Sequence, residues 1–158
     1  MKSTQSWGSA LRHAVPTGTL SGTLIALTAG SLGKAENGRA IAPINAISHI
    51  LWGDQAARRV EPSLKYTGTG LALNEVAAVF WSVIYEKFFG LAARRGDVAK
   101  ALAGGAVVAA AAYVTDYHIV PKRLTPGFEK RLSGRSLFGV YAAMALSLGV
   151  GALLAKKR

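Results

Sequence analysis

Four long apolar runs separated by polar connections set the pattern of this chain. Residues 14–33 and 136–155 carry no charge, and residues 101–120 carry none before Asp116. Residues 68–89 hold one internal charge, Glu75, with Glu86 and Lys87 expected at a membrane interface. About 20 mainly apolar residues span the roughly 30 Å hydrocarbon core at 1.5 Å per residue, so each run is long enough to cross a bilayer. The pattern predicts an all-α chain, a four-helix transmembrane bundle forming a single membrane domain over 1–158. A soluble bundle with buried helices fits less well, because apolar runs of this length are not interrupted by a polar face. A signal peptide is the rival for the first run, since Lys2 and Arg12 precede it; Pro16, Gly18, Thr19, Ser21, Gly22 and Thr23 weaken it as an apolar signal core.

Between the runs the pattern changes to short amphipathic pieces. Pro43 suits a first helical turn, with Ile44, Ile47 and Leu51 on one face and Asn45, Ser48 and His49 on others, ended by Trp52 and Gly53. Asp54 is placed to cap a second piece that Pro62 stops. In the third connection, Thr125 and Pro126 read as N-cap and N1, with Phe128 and Leu132 towards lipid. The expectation is short interfacial helices in the first and third loops, lying on the membrane surface.

Two runs repeat small residues every fourth position: Gly18, Gly22, Ala26 and Gly30 in the first, and Gly139, Ala143, Ser147 and Gly151 in the last. Such rows make a groove on one helix face where another backbone can approach closely. They are the candidate helix-packing positions.

Charge then sharpens the picture. The chain has 19 Lys and Arg against 8 Asp and Glu, a formal net charge of +11. The basic residues lie between or beyond the apolar segments, including Lys156, Lys157 and Arg158 at the end. A nucleic-acid binder would distribute them along helices or beside stacking aromatics; here they suit anionic lipid headgroups, and no nucleic-acid partner is expected. With four spans, nine basic residues fall on the side of the termini and ten on the other, so charge bias gives no orientation; the length of the first loop favours cytoplasmic termini. Cysteine is absent, which removes disulfides and thiolate chemistry.

The candidate chemistry is a polar cluster: His49, Asn74, Glu75, Asp116 and His118. At helical rise Glu75 lies roughly 10 Å, and Asp116 about 6 Å, inside the membrane from the side of the first loop. Intramembrane acids face the bundle and find partners, so Glu75 should point inwards, and Asp116 should meet Lys122 or Arg123. No two of the cluster have the spacing of a helical metal motif, and no P-loop, dinucleotide or hydrolase motif occurs, so neither metal nor cofactor is expected and the chain does not read as an enzyme.

The strings SHILWGDQAARR with PSLKYTGTG, and DYHIVPKRLTPGFEKRLS, resemble signatures of a family of small uncharacterised integral membrane proteins of Proteobacteria. The resemblance covers the chain from the first run to the fourth and implies a multi-pass protein of the bacterial inner membrane, without implying an activity. A structural or accessory membrane role follows as the expectation, with a small transporter or proton pathway through Glu75 and Asp116 as the alternative. The expected partners are the lipid bilayer and either a second copy or another membrane protein.

Overall fold

The computed structural model describes residues 5–155; Lys2 and the closing Lys156, Lys157 and Arg158 lie outside the described residues. Among the described residues the chain is helical without strands. Four long helices carry it: α1 (Trp7–Asn37), α4 (Leu64–Arg94), α5 (Val98–Ile119) and α6 (Gly134–Leu154). Two short helices, α2 (Ala42–Ile47) and α3 (His49–Trp52), follow α1. Three helices, α4, α5 and α6, are long and apolar enough to cross a membrane. α1 is longer than α5 or α6 but is not one of these three; its Thr, Ser and Gly residues dilute the apolar content of the run.

α1 and α5 bury stripes made mainly of small or polar residues, α4 and α6 bury Tyr85, Val140, Met144 and Leu148 as well, and all four turn large apolar side chains outwards. In α1 the buried positions include Ala10, Ala14, Thr17, Gly18, Ser21, Gly22, Ile25 and Ala29, spaced by three or four. In α5 they are Ala101, Gly104, Gly105, Val108, Ala109 and Ala112. Leu11, Val15, Leu27, Phe80, Val107, Phe138 and Leu146 are exposed. In water this arrangement would leave the larger apolar area unburied, the reverse of a soluble core. In hydrocarbon it is favourable, because association there depends on close van der Waals approach.

The chain divides into two compact units. The first holds the described residues up to Leu24, Glu75–Ala112 and residues from Ala142 onwards. Its helices meet through missing side chains. A Cβ at Gly18 would lie 2.6 Å from the Cα of Val79, and one at Gly105 would overlap the carbonyl oxygen of Ala145. Gly151 faces Leu20 and Thr17, and Ser147 shares a 2.7 Å hydrogen bond with Ser21. Asp97 opens α5 as its N-cap, its Oδ1 accepting from the Lys100 amide at 3.0 Å, which holds its carboxyl below the usual range.

The second unit comprises Ile25–Asn74 and Tyr113–Tyr141. α1 ends in it at Gly38, whose positive φ of 70° turns the next amide back, so that the Arg39 N–H donates to the Gly33 carbonyl at 3.3 Å. The short pieces expected at the membrane surface form here, but they are packed inside the unit. Ile44, Asn45, Ile47, Ser48 and His49 are all buried, and only Leu51 and Trp52 emerge. Asn45 explains why. Its amide donates to the carbonyls of Arg59 and Glu61, and its Oδ1 accepts from Thr67 Oγ1 at 2.6 Å, so the buried side chain ties the first connection together. Asp54 does not cap; the turn Ala56–Arg58 starts from Gln55, and Asp54 pairs with Lys130 at 3.0 Å. Thr125 and Pro126 do not open a helix either. The turn Phe128–Lys130 follows Gly127, at φ 90°, and Phe128 and Leu132 are buried, not lipid-facing. A Cβ at Gly127 would lie 2.5 Å from the Ala46 oxygen, so only glycine admits this close approach.

Candidate functional site

The most elaborate polar site is centred on a residue expected at the membrane interface. Glu86 is fully buried in the first unit. Its Oε1 accepts from Thr17 Oγ1 at 2.9 Å, and its Oε2 accepts from Arg94 Nη1 at 2.6 Å and from Gln5 Nε2 at 3.3 Å. Gln5 also bonds the Glu86 carbonyl and accepts from Arg94 Nη2, while Lys87 Nζ donates to the Gln5 carbonyl at 2.7 Å. The sequence places these partners locally: Glu86 to Gly90 form a π turn within α4, and Arg94 sits two helical turns beyond Glu86. Arg94 keeps some exposure, so the pair runs from the interior towards the rim. Chemically the site is a closed ion pair: a buried carboxylate supplied with one cation and two neutral donors.

Along the same α4 face lie Ser82 and Glu75, four and eleven residues before Glu86. The Glu75 carboxylate packs against α1, where a Cβ at Gly22 would come within 2.6 Å of its Oε1. Glu75 therefore points at a neighbouring helix, as expected. The expected polar partner is missing: its Oε2 is buried without a hydrogen bond, as is Ser82 Oγ. Two polar groups that α4 carries inwards thus lack donors or acceptors, whereas Glu86 is saturated.

The other candidates of the polar cluster, His49, Asn74, Asp116 and His118, belong to the second unit, and Glu75 to the first. Asn74 is buried and His118 is exposed with its ring 5.7 Å from that of Tyr113. His49 is buried, its Nδ1 2.8 Å from the Ala46 carbonyl; since that oxygen can only accept, Nδ1 carries the proton, and Nε2 has no partner. Asp116 meets neither Lys122 nor Arg123. Its Oδ2 accepts from Tyr141 OH at 2.6 Å, amid the rings of Tyr113, Tyr117 and Tyr141, while Arg123 donates to the carbonyls of Ile50 and Leu51. No hydrogen bond or ion pair joins His49, Asp116 and His118 to one another. Among the described residues no three His, Asp or Glu side chains gather closely enough to hold a metal ion.

Of the candidate packing residues, Gly18, Gly22, Ser147 and Gly151 make close contacts in the first unit. Gly30 faces the Ala40 carbonyl and Gly139 faces Leu32 in the second. Ala26 and Ala143 are half-buried.

The sequence reading missed Glu86, Arg94, Gln5 and Thr17. A signal for the first two was present: an acid eight residues before an arginine, on one helix face at the end of an apolar run. Glu36 was missed too. It accepts from the Ser133 amide at 3.0 Å and from the Ser133 and Ser136 hydroxyls, which hold its carboxyl below the usual range, the Ser133 hydroxyl contributing most. No family model, curated protein or solved structure matches this chain.

Proposed function

We propose that the chain is a multi-pass protein of the bacterial inner membrane, of the small proteobacterial family that its loop strings resemble, with a structural or accessory role and no catalytic activity. In this reading α1 is the fourth crossing, completing a four-helix bundle. The short helices of the first connection and the turns of the third lie at the level of the membrane surface while packed within the second unit. Its partners are the bilayer and a second copy or another membrane protein. The observation that carries the reading is the saturation of Glu86 by Arg94, Thr17 and Gln5. An acid with every oxygen engaged by the chain's own donors fixes helices in place and has no free valence for a ligand.

One observation favours a second reading, a proton pathway: Glu75 Oε2 and Ser82 Oγ are buried without partners on the face that leads to Glu86. Proteoliposomes with a pH gradient and an internal pH dye separate the two. The structural reading expects proton leak equal to that of protein-free vesicles for the wild type and for Glu75→Gln. A wild-type flux that Glu75→Gln abolishes, with fold retained, would overturn it in favour of the pathway.

A further inference from the structure

Basic side chains and aromatic rings converge where α4 begins. Lys65 Nζ lies 4.7 Å from the ring centre of Trp52 and 5.3 Å from that of Tyr66, and Arg59 Cζ lies 5.5 Å from the Tyr66 ring. Trp52 is held in this row by its Nε1–H, which donates to Thr69 Oγ1 at 3.2 Å. All five residues belong to the second unit. The ion pairs among the described residues are Arg39 with Glu61, Arg94 with Glu86, Lys100 with Asp97 and Lys130 with Asp54. Arg58, Arg59 and Lys65 belong to none of them. Their charge is uncompensated and exposed, and rings under Lys65 and Arg59 orient the cations without neutralising them.

The apolar surroundings set the depth of this row. Leu64 is 93% exposed and Leu51 and Trp52 are exposed beside the same connection. α4 is 31 residues long, roughly 46 Å at helical rise, against a hydrocarbon core of about 30 Å. Its first turn therefore extends to headgroup level, given the membrane reading proposed above. There, Trp and Tyr are at home, a lone exposed leucine meets acyl chain, and Lys and Arg meet phosphate. Arg59 supplies a planar fork for two phosphate oxygens and Lys65 a compact charge. A zwitterionic headgroup brings a compensating ammonium to an already positive surface, so net negative lipids are favoured.

We propose that Arg59, Lys65, Trp52 and Tyr66 form a binding site for the headgroup of an anionic phospholipid, with Leu64 and Leu51 against its acyl chains. The test uses Trp52 as its own reporter. A Trp7→Phe, Trp81→Phe double variant is reconstituted with phosphatidylcholine or phosphatidylglycerol carrying brominated chains, and quenching gives the relative binding constant of the two lipids. We expect a preference for phosphatidylglycerol of about fivefold per cation engaged, reduced by salt, and lost in Arg59→Gln, Lys65→Gln. Equal quenching by both lipids, or a preference that survives both substitutions, would overturn the site. Quenching by neither lipid would overturn the membrane reading beneath it, a distinguishable result. Should the tryptophan variant not fold, melting of delipidated wild type with short-chain forms of each lipid reads the same preference, and the same two substitutions must abolish it.

Discussion

Replacing Arg94 by methionine leaves Glu86 buried, with Thr17 and Gln5 as its remaining donors and no cation. Methionine keeps the aliphatic bulk of the side chain, so the change isolates charge. Removing one partner of a buried ion pair costs about 3 to 5 kcal/mol. Arg94 is 17% exposed while Glu86 is 0% exposed, so the Coulomb part is partly screened, and about 3 kcal/mol is the expected loss. Thr17→Val removes one neutral donor to a charged acceptor and should cost about 1.5 to 3 kcal/mol. The decisive comparison is the double variant Glu86→Leu, Arg94→Met. With both charges gone there is no buried ion to solvate, so it should be more stable than Arg94→Met alone, by about 1 to 3 kcal/mol. Reversible unfolding in mixed micelles, followed by circular dichroism, measures all three. If Arg94→Met falls within 0.5 kcal/mol of wild type, or the double variant is the least stable, the pair does not carry the energy assigned to it.

Further outcomes follow from the same geometry. Gly105→Leu should destabilise the first unit strongly, because a side chain there overlaps the Ala145 carbonyl; Ala106→Leu, exposed on the same helix, should be tolerated, and equal melting temperatures would refute the close approach. Glu36 has a lowered folded pKa, so its contribution to stability is present above the ordinary carboxylate range and is lost as pH falls through the lowered value. Melting temperature against pH should therefore drop on the acid side in the wild type and less so in Glu36→Gln; parallel curves would contradict this. Reporter fusions after Ala93 and after Arg158 should report one side of the membrane and fusions after Arg59 and Leu132 the other, with disagreement between the first two excluding four crossings.

Helix existence was legible along the chain, because apolar runs of this length have one economical fold in lipid and every backbone group must be bonded within the helix. The runs 68–89, 101–120 and 136–155 correspond to Leu64–Arg94, Val98–Ile119 and Gly134–Leu154. The three starts and the end of the first of these runs moved outwards, because charged residues such as Lys65 and Arg94 continue a helix well when their heads reach a partner or the rim. Gly18, Gly22 and Gly151 were also legible, since a side chain of hydrogen is visible in sequence and its consequence is steric.

Polar placement was not legible, and the reason is physical. Periodicity tells which residues share a face but not what covers it. Asn45 and His49 read as the wet side of an amphipathic turn, yet they are buried because backbone carbonyls from distant positions, and Thr67, reach Asn45. Glu86 read as interfacial because it ends an apolar run, yet Thr17, 69 residues earlier, and Arg94 supply the donors that let it stay inside. Glu75 shows the converse: it read as the acid that needs a partner, and its Oε2 is buried with none. An acid's need for compensation is a local property, whereas the compensation comes from another helix. The difference between these two glutamates on one face of α4 is therefore set by α1, which offers a hydroxyl at Thr17 and only the bare backbone of Gly22 at Glu75. Thr17→Gly should accordingly make Glu86 resemble Glu75, removing its Oε1 donor while leaving Arg94 in place. Reversible unfolding in mixed micelles should then show Thr17→Gly losing about 1.5 to 3 kcal/mol more than Thr19→Gly, an exposed threonine on the same helix. Equal losses at the two positions would mean that the Thr17 hydroxyl does not help hold the buried carboxylate and that Arg94 alone does.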